Sequence, residues 1–108
     1  MSVKKGDYLQ CRTKTLNNLF GIVVWKVLET GLPSPEKGRE GVMDGVEVEM
    51  LGGSGPSARE GFTCIDSEEH IRLDITDGKT KIITEDQKDI ALDQYQRKHS
   101  GTGVVDVQ

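Results

Sequence analysis

The sequence predicts a small, mainly β single domain, an antiparallel barrel or sandwich of five to six strands with a short C-terminal helix over about residues 85–98. Three observations predict it. Short apolar runs alternate with polar residues between turn-forming pairs, 13 of the 108 residues are glycine, and the chain becomes helix-permissive after Thr84. A chain of 108 residues is the size of one domain. Residues 1–98 are expected to form it, and 99–108 a flexible or docking tail. With 34% hydrophobic and 30% charged residues, the core is expected to be thin and help from a partner subunit is plausible.

The first element is a hairpin from Asp7 to Leu28, two β-prone runs flanking Asn17-Asn18, a pair that tolerates the positive φ of a tight turn. A two-residue turn there sets the register. It places Leu9, Cys11, Thr13 and Thr15 with Phe20, Ile22, Val24 and Lys26 on a core face. Gln10, Arg12 and Lys14 then share a mixed face with Gly21, Val23 and Trp25, where Trp25 lies diagonal to Arg12 at cation–π range.

Residues 31–45 hold two prolines and four glycines and read as a long loop. Val46-Glu47-Val48-Glu49-Met50 follows as a strict alternation that buries Val46, Val48 and Met50 and turns Glu47 and Glu49 outward. A second irregular stretch, Gly52 to Gly61, precedes a short strand at Phe62 to Ile65. His70–Thr76 and Lys79–Thr84 flank Asp77-Gly78, a strong hairpin signal. Pairing across it puts Ile71, Leu73 and Ile75 on one face and charged partners on the other, with Ile83 alone breaking the polar side. Thr84-Glu85-Asp86-Gln87 has the form of a capping box, and the helix it opens offers Ile90, Ala91 and Tyr95 as a narrow apolar stripe.

Short strands of this kind close their edges most economically as a small barrel or tight sandwich. Val3-Lys4-Lys5-Gly6-Asp7-Tyr8-Leu9 and Gly21-Ile22-Val23-Val24 resemble the first two strands of SH3-like barrels, including the small ones of translation and transcription factors. The resemblance covers about the first 30 residues, favours an SH3-like barrel, and implies no functional residues.

The net charge of -4 disfavours broad phosphate-backbone binding. Ile22–Trp25 is the longest aliphatic or aromatic run, far short of the roughly 20 residues of a membrane helix. Met1-Ser2-Val3-Lys4-Lys5-Gly6 shows no apolar leader, so a cytoplasmic location is expected. Cys11 and Cys64 form neither a CxxC element nor a disulfide framework and are expected to be reduced, part-buried thiols. A lone small acidic domain of this kind also fits a phage or mobile-element accessory protein.

The glycines from Gly52 to Gly61, with Arg59, suggest a phosphate cradle but lack the Lys-Ser or Lys-Thr pair and the helix of a Walker element. A flexible connection or partner contact fits better. Cys64, Asp66, Glu68, Glu69 and His70 lie within seven residues, which fits a metal site, a Cys-His pair, or Asp66 or Ser67 capping one helical turn with Glu69 answering Asp66. The cap is favoured; no catalytic residue, metal or cofactor is expected. Phe20 and Phe62 read as packing residues. The leading function is a non-enzymatic interaction module, binding a protein partner or self-associating through a sheet face and the long loops, with Arg12, Val23, Trp25, Arg59 and Ile83 as contact residues. The alternative is a nucleic-acid-binding barrel using Lys4, Lys5, Arg12, Lys14 and Lys26. A small enzyme or metal site around Cys64 and His70 stands third.

Overall fold

The computed structural model describes residues 3–14, 20–39, 41–54 and 58–95. The Asn17-Asn18 turn and the expected tail at 99–108 fall outside them. Among the described residues there are five strands, β1 (Tyr8–Lys14), β2 (Phe20–Leu32), β3 (Gly45–Ser54), β4 (Thr63–Ser67) and β5 (Thr80–Ile83). They form one antiparallel sheet in the order β4-β3-β2-β1-β5. Two helices accompany it: α1 (Glu68–Thr76) joins β4 to β5, and α2 covers residues 85–95. The mainly β expectation holds. β4 and β5 stand at opposite ends of the sheet, and no pairing between them closes a barrel among the described residues.

The first hairpin is out by one residue from the expected register. Leu9 pairs with Trp25, Cys11 with Val23 and Arg12 with Ile22. The paired positions Lys14 and Phe20 leave an odd number of residues between them, whereas a two-residue turn needs an even number. A slip of one residue exchanges the faces. Trp25 and Val23 therefore lie with Leu9 and Cys11, and Arg12 lies across the sheet from Trp25, which removes the expected cation–π pair. The cation over a ring is instead Lys88, whose Nζ sits 4.9 Å from the Tyr8 centroid.

The larger correction concerns residues 68–76, which form helix α1 and not the first strand of a hairpin. Ser67 is its N-cap, with Oγ accepting from the His70 N–H at 3.1 Å, and Glu68 and Glu69 place carboxylates in the positive first turn. Asp77-Gly78 ends this helix. Gly78 takes a φ of +80°, its N–H reaches the Ile75 carbonyl at 3.1 Å, and the Lys79 N–H reaches the Asp74 carbonyl at 2.9 Å, the two bonds of a Schellman motif. The expected Ser67 cap is thus present, but it opens a helix of nine residues and not a single turn. Ile71 is buried, Ile75 half-buried and Leu73 57% exposed, as a 3.6-residue period requires and a strand period forbids.

The two helices cover opposite faces of the sheet. On one face Leu9, Val27, Val46 and Val48 pack with Val3 and Ile71, flanked by Cys11, Trp25, Cys64, Ile75 and Ile82. On the other Val24, Ile83 and Ala91 pack with Tyr8, Leu51, Leu92 and Tyr95. Val46, Val48 and Met50 are buried as expected, while Glu47 and Glu49 are half-buried. A bulge at Leu51, between the Trp25–Met50 and Val24–Gly52 pairs, shifts the alternation so that Gly52, like Leu51, falls on the α2 face. Just beyond it, Gly53 lies against the backbone of β2, where any Cβ would run into the Ile22 carbonyl oxygen. The capping box of α2 forms as expected: the Thr84 N–H donates to Gln87 Oε1 at 2.9 Å and the Gln87 N–H to Thr84 Oγ1 at 3.1 Å.

Replacing Gly53 with Ala is expected to destabilise the fold by about 1–3 kcal/mol through overpacking. Gly41→Ala, where a Cβ meets open space, stays within about 0.5 kcal/mol of the parent. Urea denaturation of the two variants side by side checks the difference.

Candidate functional site

β4 is an edge strand, and the turn that delivers it is built on Met50. The Met50 N–H donates to the Phe62 carbonyl at 2.7 Å and the Gly61 N–H to the Met50 carbonyl at 2.8 Å, while the Arg59 N–H points at Met50 Sδ at 2.8 Å. This fixes Phe62 beside Trp25, the cross-strand partner of Met50. The two rings meet edge to face, with centroids 6.3 Å apart and planes at 63°, a favoured aromatic geometry. Trp25 is half-buried against the α1-face core, whereas Phe62, expected as a packing residue, is 45% exposed. The result is an aromatic ledge, its inner ring anchored and its outer ring facing solvent.

The backbone of β4 carries a second feature. Its ladder with β3 runs without a register shift from Glu49–Thr63 to Gly45–Ser67. Bonds from the Met50 N–H to the Phe62 carbonyl and from the Glu68 N–H to the Asp44 carbonyl mark its two ends. Antiparallel ladders bond at every second residue, so Cys64 and Asp66 turn their amides toward β3, and Thr63 and Ile65 turn theirs outward. The Ser67 N–H is occupied by Asp66 Oδ1 at 2.8 Å. Ile65 is 45% exposed and Thr63 is exposed. An exposed apolar residue thus sits at the middle of an open strand edge, on the sheet face opposite the ledge.

Behind the strand, α1 and the long loop are tied together by charge. Arg39 Nη1 donates to Glu36 Oε2 at 3.1 Å and to Glu69 Oε2 at 2.9 Å. These contacts raise the guanidinium pKa further. His70 is flanked by two carboxylates, Asp66 at 3.0 Å from Nδ1 and Asp74 at 3.6 Å from Nε2. The hydrogen bond to Asp66 lifts its pKa above the ordinary 6.5. Cys64 and Cys11 are free, half-buried thiols. Burial pushes both thiol pKa values up, the opposite of what a thiolate nucleophile needs. No group of three or more His, Cys, Asp or Glu side chains converges at metal-binding spacing among the described residues.

Of the five residues chosen as contacts, Trp25 and Arg59 meet at the Met50 turn. Val23 is 1% exposed and Ile83 7%; Ile83 is core beneath α2. Arg12 is exposed on the α2 face. Of the basic residues weighed for nucleic acid, Lys5 is 3.5 Å from Glu29, Lys4 is exposed and Lys26 half-buried, and the Lys14 side chain falls outside the described residues. Gly52 and Gly53 belong to β3 and form the floor of a groove of about 170 Å³ beside Leu51, Leu92 and Tyr95. Their lack of side chains serves the approach of α2 and β2: a Cβ on Gly52 would lie 3.1 Å from Leu92 Cδ2. Phe62 and Ile65 are contact candidates that the sequence does not single out. Parity carried a signal for one of them: Ile65 stands between Thr63 and Ser67 on the polar side of its strand.

No helix among the described residues is long and apolar enough to cross a membrane. The chain matches no family model, no curated protein and no solved structure.

A histidine whose folded pKa is raised contributes stability fully below its unfolded value near 6.5, and loses it as pH climbs through the raised folded value. His70→Gln therefore lowers the melting temperature more at about pH 5.5 than at about pH 8.5. Asp66→Asn brings the His70 titration, followed by NMR, back toward its ordinary position.

Proposed function

We propose that this protein is a non-enzymatic interaction module whose working surface is the Trp25–Phe62 ledge together with the outer edge of β4. The observation that carries this reading is Phe62, an aromatic ring 45% exposed, set edge to face against a half-buried tryptophan and adjoining outward-turned backbone at Thr63 and Ile65. Large aromatics held rigid at little entropic cost are favoured anchors of protein interfaces. An open strand edge supplies the hydrogen bonds that position an extended partner. Arg59 at the entry to the strand adds a charge at the rim.

Chemistry of the site favours binding over catalysis. Burial raises the pKa of both thiols, and the histidine is exposed and engaged by two carboxylates, Asp66 at the end of β4 and Asp74 on its own helix. The basic side chains are spread over several elements and partly neutralised, which suits phosphate tracking poorly.

A photo-crosslinking amino acid at position 62 in the cell of origin is expected to give discrete adducts with protein, whether with the same chain or with another. The same probe at Gln87, exposed on α2, gives none. Absence of any protein adduct at position 62 would overturn the assignment.

A further inference from the structure

We infer that the chain's own C-terminal segment, residues 96–108, lies across the half of the sheet that α2 leaves open, the β3–β4 side of the α2 face. That area is on the opposite side of the sheet from the Trp25–Phe62 ledge, and the inference stands apart from the function proposed for the ledge.

Parity puts a row of side chains there. Cys64 packs on the α1 face, so Thr63 and Ile65 point to the α2 face. Cross-strand pairing sets Glu49 beside Thr63 and Glu47 beside Ile65, with Lys26 and Glu29 as their neighbours on β2. Leu28 sits in the bulge between the Val27–Val48 and Glu29–Glu47 pairs and is half-buried. Ile65 and Thr63 are exposed. The apolar contacts of α2 fall elsewhere, on Tyr8, Val24, Leu51 and Ile83. A face with an isoleucine at its centre and no described element over it is a layer only half built.

The course of α2 names what comes next. The helix starts just after β5, places Lys88 over the Tyr8 ring on β1 and brings Leu92 up against Gly52 on β3. Leu92 and Tyr95 line the groove with Leu51, Gly52, Gly53 and Glu60, the last of these just ahead of β4. Helix α2 therefore crosses the sheet from its β5 side toward β4, and the chain beyond Tyr95 is delivered to the rim of the open area. Residues 96–108 reach about 40 Å when extended, against a strand spacing of about 4.8 Å. Tethering at the rim favours this segment over a separate molecule, because a short linker holds it at roughly millimolar effective concentration.

The segment matches the surface in the order in which it arrives. Gln96-Arg97-Lys98-His99 comes first, beside Glu60 and Glu49. Glu47, Glu49 and Glu60 make no ion pair among the described residues. Lys26, opposite Glu49, balances one of these charges, and Arg97 and Lys98 answer the other two. Ser100-Gly101-Thr102-Gly103 then lets the chain turn. Val104-Val105-Asp106-Val107 alternates so that Val105 and Val107 share one side. That side covers Ile65 and Leu28, and Asp106 is turned to solvent.

NMR of the full chain tests this placement. Methyl groups of Val105 or Val107 are expected to show nuclear Overhauser contacts to Ile65 or Leu28. Ending the chain after Tyr95 is expected to shift the amide resonances of Glu47, Glu49, Thr63 and Ile65 and to leave those of Leu73 and Thr76, on α1, in place. Reversing the two cations together, Arg97→Glu with Lys98→Glu, should move the same resonances most of the way to their truncated positions. The Overhauser contacts are read on the intact chain, so they decide the matter even where the shortened chain does not fold. Rapid tumbling of residues 104–107, or a folded truncation that shifts nothing on this face, would sink the inference. Contacts that arise only between labelled and unlabelled copies assign the face to a second chain and refute it equally. A charge-reversed variant with an unaltered spectrum refutes the pairing of Arg97 and Lys98 with the glutamates, and the inference with it.

Discussion

Everything in this fold depends on β2 being buried on both of its faces. Val23 and Val24 are neighbours in sequence and point to opposite sides of the sheet, yet they are 1% and 0% exposed. A strand that is apolar on both sides cannot lie on the surface of a one-sided sheet, so each face must be covered. α1 covers one and α2 the other. Because the helices are short and carry narrow apolar stripes, each is also held at its ends, α1 by the Ser67 cap and the Schellman turn, α2 by the reciprocal Thr84–Gln87 cap. The core is built mostly of valine, which fills the space between sheet and helix with little volume to spare. Within the sheet itself, a Cβ at Gly53 would press on the β2 backbone at Ile22 and Val23.

Much of this architecture was legible in the sequence. The alternation of Val46, Val48 and Met50, the α2 capping box, the loop between β2 and β3 and the mainly β character follow from local pattern, and the structure shows all of them. Two features resisted. Ile71, Leu73 and Ile75 alternate as a strand would, and Asp77-Gly78 is the strongest hairpin signal in the chain. The same residues also satisfy a helix: Ile71 and Ile75 are one turn apart, and a glycine with positive φ is wanted equally at a tight turn and one residue past a helix end. The deciding signal was upstream, in the Ser67 cap and the two glutamates behind it. The register of the first hairpin failed for a different reason, since it depended on whether the connection holds an odd or an even number of residues. Pairing across the sheet settles that, and no local propensity does.

The candidate surface was legible in part for a related reason. Trp25 stood out as a large aromatic, and it does anchor the ledge, but on the face opposite to Arg12. The sequence points to Phe62 as core because aromatics in a thin core usually pack, and its exposure follows from the Met50 turn, which no sequence pattern announces. The ion pairs behind β4 give the surface a firm backing. Arg39 links the long loop to Glu69, and Asp66 joins the end of β4 to His70 on α1, so helix, loop and edge strand are cross-linked by ion pairs.

The place of β5 has a consequence for how the molecule is made. Its pairing with β1 brings Thr80 to Cys11, 69 positions away in the chain, with the Thr80 hydroxyl donating to the Cys11 thiol at 3.3 Å. Throughout synthesis, β1 emerges early and keeps an unpaired side until that distant segment leaves the ribosome. Contacts of such long sequence separation form slowly, and an unpaired strand edge exposed in the meantime invites association with other nascent chains. The β1 edge is therefore completed only by the last strand to be synthesised, and a translation pause between the two segments would lengthen the interval in which it stays open.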